Sequence, residues 1–233
     1  MLDNLRQDLK KLANKSKAAA YQRYFKTGKG QYGQGDIFLG LRVPQSRTVA
    51  IKYKNLPYPD IESLLKSPVH EERLIALLIL VERFQTEEME QRRVYDFYLR
   101  HAKLVNNWDL VDLSSDKIVG GYLIDKPRDI LYKLAASKNI WERRIAMVSC
   151  YHFIKNKDTQ DALKVAEVLL TDQQDLIQKA VGWMLREVGK RNEKALKAFL
   201  DLNAGKMPRT ALRYAIEKFP EGIRKKYLSI AEN

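Results

Sequence analysis

The stretch VNNWDLVDLSS at residues 105–115 sets a large aromatic, Trp108, four residues before a carboxylate, Asp112. On a helix, i and i+4 share a face, so the indole and the acid stand together. An exposed indole costs apolar area, so the pair is either a packed corner or a site. The second acid, Asp109, lies about 100° around the helix from Trp108 and reads as a structural or solvated charge. Two later stretches add to the set. AVGWMLREVG holds Trp183 and Arg186 at i, i+3, and NIWERRIAM holds Arg143 and Arg144. Aromatic faces and an acid favour positive charge, and guanidinium groups favour phosphates. The plainer alternative uses the same residues: tryptophans packed between repeats, and solvated charges.

Other chemistries find no residues. His70, His101 and His152 are scattered, each expected to cap or pack, and no metal-ligand cluster, CxxC pair or Ser/His/Asp elbow is present. No cofactor is called for. KTGKGQYGQGD at 26–36 contains a literal G-x-G-x-x-G at Gly28, Gly30 and Gly33. A dinucleotide fingerprint needs a strand before it and a helix directly after it. Here a helical pattern precedes the glycines and FLG follows. A flexible loop with Lys26, Lys29 and Tyr32 able to touch a phosphate backbone is a better reading, and a plain surface loop fits equally.

These residues must be positioned by helices. Period-3.6 patterns fill the chain and strand signals are nearly absent. Candidate helices run near 2–25, 44–53, 58–66, 70–84, 87–103, 107–123, 127–137, 140–155, 158–170, 174–189, 192–202, 207–218 and 221–231, joined by short Pro-, Gly- or Asn-bearing connectors. ERLIALLIL, RRIAMVSCY, QKAVGWMLR and PRTALRYAI share one pattern, a basic residue followed by small and apolar ones. Anchors at Arg73, Arg143, Lys179 and Arg209 are 70, 36 and 30 residues apart. A period in the middle thirties is that of two-helix solenoid units, which stack and leave a concave surface. The expected fold is therefore all-α: a HEAT-like helical-repeat solenoid (an α-α superhelix) with a concave basic groove. One domain spans 1–233, with the N-terminal helices and Gly/Lys loop (1–54) packing onto the array. Trp108, Arg144 and Trp183 fall at successive repeats and are expected to line the inner groove side by side.

Charge supports a polyanionic partner. The net charge is +13, and residues 1–54 carry 12 basic against 3 acidic groups, residues 205–226 7 against 2. Such ends fit an electrostatic footprint for a polyanion, and the plainer alternative is a generic solvated basic surface. The longest apolar run, LIALLILV, is far below the about 20 residues a membrane span needs. The N-terminus is charged at once, without an apolar signal core. Cys150, the single cysteine, has no internal disulfide partner and reads as a buried thiol in a reducing, cytoplasmic setting, nucleoid-associated when on DNA.

FLGLRVPQSR (38–47), NNWDLVD (106–112), IWERRIAM (140–147) and QKAVGWMLRE (178–187), in this order, resemble the DNA alkylation repair family, the AlkD-type alkylpurine DNA glycosylases built from HEAT-like repeats. The resemblance covers most of the chain. It implies that Trp108, Asp112 and Trp183 match the family's active-site trio, with Asp112 catalytic and the indoles against the lesion nucleotide. It implies that Arg144 and Arg186 match basic residues near the lesion strand. Arg47 matches an arginine of the first stretch. Arg42 falls where the best-studied type has a glutamine, and the Gly/Lys loop is longer than in that type. The implied activity is hydrolysis of the N-glycosidic bond of cationic N3- or N7-alkylated purines in double-stranded DNA, without deep base flipping. A monomer without membrane attachment or an obligatory protein partner is expected to suffice. Two other functions fit the same features: a non-catalytic DNA-binding repeat protein for damaged or branched DNA, and a protein-interaction scaffold.

Overall fold

The computed structural model describes residues 1–230, so residue 231, the expected end of the last helix, lies outside the described residues. The chain resolves into two compact units that divide after Ser114. Both are helical, and among the described residues the only extended pairing is an isolated bridge between Ile37 and Val69.

The first unit contains α1 (Leu2–Leu12), α2 (Lys15–Tyr24), α3 (Val43–Lys52), α4 (Tyr58–Leu65), α5 (His70–Thr86), α6 (Gln91–Arg100) and α7 (Trp108–Asp112). Helix α5 is its centre. LIALLILV (74–81) is apolar on every face, and a helix of that kind must be buried all round. Leu74 through Val81 are all buried, and α3, α4 and α6 pack against α5. The single helix expected over 2–25 is broken at Ala13–Asn14. Ala13 is extended, the Asn14 side chain caps Lys17 N at 3.0 Å, and Asn14 N donates to Leu39 O at 2.8 Å. An Asn that caps α2 and ties the chain to residue 39 cannot also continue α1.

The second unit begins with a π-helix, Asp116–Gly120, followed by α8 (Asp129–Ala135), α9 (Ile140–Lys155), α10 (Gln160–Val168), α11 (Asp175–Arg191), α12 (Glu193–Asn203), α13 (Arg209–Ala215) and α14 (Glu221–Ile230). Helix α9 packs on the π-helix and on α11, and α11 packs on α13, while α8, α10 and α12 cover them. Gly120 and Gly182 permit close approach in two of these contacts, since a Cβ there would lie 2.3 Å from Ser149 O and 2.4 Å from Ala211 O. Cys150 is fully buried in α9, as expected, and burial pushes its thiol pKa up.

The continuous helix expected over 107–123 is also broken. Ser114 Oγ bonds back to Leu110 O and meets Tyr98 OH at 2.9 Å, and the ladder slips into the π-helix two residues later. Serine back-bonding of this kind bends or ends helices, and π-turns cluster at functional positions.

Side-chain bonds give the repeat its true register. In the loop before α5, Val69 N donates to Ser67 Oγ, and Arg73 Nη1 donates to Ser67 O at 2.7 Å. Before α9, Asn139 N donates to Ser137 Oγ, and Arg143 Nη1 donates to Ser137 O at 2.9 Å. Before α11, Gln174 N donates to Asp172 Oδ1, and Gln178 Nε2 donates to Asp172 O at 2.9 Å. The same two closures recur at the same offsets. The anchor of the third unit is therefore Gln178, not Lys179, and residues 73, 143 and 178 are spaced by 70 and 35.

Candidate active site

A 35-residue step back from Arg143 reaches Trp108. Where the neighbouring repeats use a polar side chain to close the preceding loop, this repeat has an indole. Trp108 is turned instead toward the N-terminal segment. Its ring stacks on Phe25 at 5.2 Å and 11°, Tyr24 meets it edge-on at 6.0 Å, and its Nε1 donates to Tyr32 OH at 3.2 Å. The Gly/Lys loop is therefore not a plain connector, since it supplies a partner for the indole. Gly33 lets it turn so sharply, because a Cβ there would lie 2.4 Å from Phe25 O.

Asp112, at the far end of α7, is out of register in the same sense. The equivalent positions 77, 147 and 182 are Leu77, Met147 and Gly182, all buried. Asp112 is only partly buried, as is Trp108, whereas Asp109, Leu110 and Val111 between them are buried. The face bearing the indole and the acid is thus the partly exposed face of α7.

Asp109 is neither solvated nor idle. Its Oδ2 lies 2.8 Å from His70 Nε2, and its Oδ1 accepts from Leu110 N at 2.9 Å. His70 Nδ1 lies 3.3 Å from Asp36 Oδ2, which also pairs with Arg73 Nη2 at 2.6 Å and accepts from Asn107 Nδ2 at 3.2 Å. All five residues are buried. Burial opposes a charge on His70, but the hydrogen bonds to Asp109 and Asp36 outweigh it and raise its pKa to about 8. Burial likewise works against the Asp36 carboxylate, and the His70 bond and the Arg73 charge hold its pKa below the usual value. Sequence spacing alone left this cluster unseen, because its members come from the loop, α5 and α7. The one signal was periodicity, since Asp36, His70 and Asp109 are 34 and 39 residues apart.

The His70 shift has a consequence for stability. A histidine with a raised folded-state pKa stabilises fully below its unfolded value and loses that contribution as pH rises through the folded value. The window runs from 6.5 to about 8. The unfolding free energy is expected to fall by about 2 kcal/mol between pH 6 and pH 9. Urea unfolding at a series of pH values checks this, and a flat profile across that range would contradict a charged His70.

Beside this cluster lies a cavity of about 170 Å³, walled by Tyr21, Tyr24, Phe25 and Phe38 and reached by His70, Glu71 and Asp109. The Glu71 carboxylate is taken up by three amides, Leu39 N, Gly40 N and Leu41 N, at 2.8–3.2 Å.

In the second unit, Trp183 is half-buried on α11, its ring 5.9 Å from Tyr151 on α9. Lys155 Nζ stands 4.8 Å from the Tyr151 ring centre and the Arg191 guanidinium 5.8 Å from it. These three residues were not anticipated, although Tyr151 and Lys155 carry the i, i+4 signal. Arg144 is buried, and its guanidinium donates to Leu176 O, so it ties α9 to the start of α11. Arg186 is ion-paired with Glu217. Arg42 and Arg47 are exposed, Arg42 directly before α3 and Arg47 within it. Trp141, the third tryptophan, is a core residue.

Comparison with known proteins agrees with this architecture. A solved structure described as a predicted DNA alkylation repair enzyme from Enterococcus faecalis superimposes with a TM-score of 0.69 at 18% identity, over 90% of this chain and 97% of that one. At that identity the likeness concerns the fold. No curated protein matches the sequence. The family model for DNA alkylation repair enzymes matches residues 5–219, nearly the whole chain. The chain belongs to the DNA alkylation repair enzyme family.

Proposed function

We propose that this chain is an AlkD-type DNA glycosylase that hydrolyses the N-glycosidic bond of N3- and N7-alkylated purines in duplex DNA. A purine alkylated on a ring nitrogen is cationic and departs as a neutral base, while the sugar gains oxocarbenium character. Such a leaving group needs no acid, so one carboxylate suffices. Asp112 stabilises the cationic sugar and positions or deprotonates the attacking water. Trp108 and Trp183 contact the lesion nucleotide, each cation–π contact contributing about 0.5–2 kcal/mol. Arg42 and Arg47 are assigned to phosphates. Arg144 and Arg186 share that role by exchanging part of their protein contacts for phosphate oxygens. The base stays in the stack, which confines the substrates to lesions already prone to leave. The reaction needs no cofactor or metal, and a monomer performs it.

The observation that carries this reading is the register of Asp112. A carboxylate stands where sister repeats bury apolar groups, one helical turn from an indole that replaces a loop-closing side chain. Local rules broken twice on one face mark function rather than folding.

The test is incubation with methylated duplex DNA and chromatography of the freed bases. Release of 3-methyladenine and 7-methylguanine is expected. Binding without release would leave the non-catalytic DNA-binding reading in its place. Duplex affinity is expected to fall steeply as salt rises, because phosphate contacts release counterions, and a flat dependence would remove nucleic acid altogether.

A further inference from the structure

The amide and carboxylate bonds at the start of α7 form a closed circuit. Asn107 Oδ1 accepts from Trp108 N at 2.8 Å, Asn107 Nδ2 donates to Asp36, Asp36 meets His70, His70 meets Asp109, and Asp109 accepts from Leu110 N. Both nitrogens of His70 face carboxylate oxygens, so both bonds form only if both nitrogens carry protons. The same imidazole belongs to a cluster of rings. It stacks on Phe38 at 4.4 Å and 22° and meets Phe25 at 5.1 Å and 41°, Phe38 stacks on Phe25 at 4.8 Å and 25°, and Phe25 stacks on Trp108 at 5.2 Å and 11°. Phe25, Phe38 and His70 all border the cavity of about 170 Å³. Close packing therefore does not hold the cluster from every side, and the polar circuit ties its imidazole to Asp109 on α7.

We propose that His70 and Asp109 are positioning residues: the doubly protonated imidazole, clamped between Asp109 and Asp36, sets the rotation of α7 and the plane of the Trp108 indole, and thereby the placement of Asp112. This rests on the reading of Trp108 and Asp112 as the reactive pair. The charged groups around His70 are Asp36 from the loop, Asp109 from α7 and Arg73 from its own helix. The neighbouring Glu71 is held by backbone amides and Glu72 by Arg6 at 3.2 Å. Loss of a proton from His70 leaves one bond of the clamp without a hydrogen. Asp36 keeps Arg73 and Asn107 as donors, so the neutral ring is expected to retain its proton toward Asp109 and release Asp36. The imidazole then shifts against Phe38 and Phe25, and through Phe25 against Trp108.

The test reads the indole N–H resonances by ¹⁵N–¹H correlation, with that of Trp108 assigned through Trp108→Phe. In the wild-type protein the Trp108 signal is expected to titrate with a midpoint near 8, while those of Trp141 and Trp183 stay in place. In Asp109→Asn the midpoint is expected to fall by about one unit or more. Release of 7-methylguanine from saturated methylated duplex is expected to slow about tenfold or more, with duplex affinity within about twofold. His70→Gln is expected to abolish the titration. Should Asp109→Asn not fold, the wild-type titration alone decides. A Trp108 signal indifferent to pH, or unmoved in a folded Asp109→Asn protein, would overturn the proposal. If the wild-type protein releases no base but the Trp108 signal titrates, the glycosylase reading fails and the positioning role stands.

Discussion

Asp112→Asn is expected to slow release of 7-methylguanine from methylated DNA by about a hundredfold or more, equivalent to about 2.7 kcal/mol of transition-state stabilisation. Asparagine preserves the size and much of the hydrogen-bonding capacity of the side chain, so α7 and its partly exposed face should persist. What it removes is charge. The ground-state lesion carries its cation on the base, and the transition state moves that charge onto the sugar, where a carboxylate gains most. The effect should therefore fall on the single-turnover rate and hardly on duplex affinity. Measuring both on the same methylated duplex separates the two. Unchanged turnover would remove Asp112 from the chemistry, and a loss confined to binding would make it a contact residue instead.

The shared, partly exposed face of Trp108 and Asp112 was legible because helical spacing is local: a step of four residues on one short helix needs nothing else to bring them together. The break of that helix after Asp112 was not legible, because it depends on Ser114 meeting Tyr98 OH and its own Leu110 carbonyl. The repeat was legible as a period, but its register was off by one in α11. Hydropathy aligned Lys179 with Arg143, whereas the loop-closing bond is made by Gln178. A neutral amide and a guanidinium perform the same closure, and composition does not equate them. The angle of Asp109 on the helix predicts a structural or solvated charge. Its partner His70 lies 39 residues away in sequence, and Asp36, on the other side of the imidazole, lies 73 away, so only packing assembles the three. Arg144 shows the converse. Its place in IWERRIAM was clear, but its burial against Leu176 O was not, since long side chains fold back in ways that helical periodicity does not encode.

The same repeat register makes the final prediction a comparison. Arg73 and Arg143 close equivalent loops through the carbonyls of Ser67 and Ser137. They differ in surroundings. Arg73 is 3% exposed and pairs with the buried Asp36, whereas Arg143 is partly exposed and pairs with Asp172 at 2.7 Å. Arg73→Ala strands Asp36 beside a single remaining cation, His70, inside the first unit. Breaking a buried ion pair from one side costs about 3–5 kcal/mol. At about 2–4 °C per kcal/mol for a chain of this length, the melting temperature should drop by about 6–20 °C. Arg143→Ala loses the same loop closure, but the guanidinium it removes is 15% exposed, so water can replace it beside Asp172, and about 1–3 kcal/mol is expected. Thermal melts of the two variants at pH 7 compare these values. A larger loss for Arg73→Ala would place the stability of the first unit in the buried charge cluster that also holds α7. Equal losses would assign it to the loop-closing hydrogen bond that the repeats share.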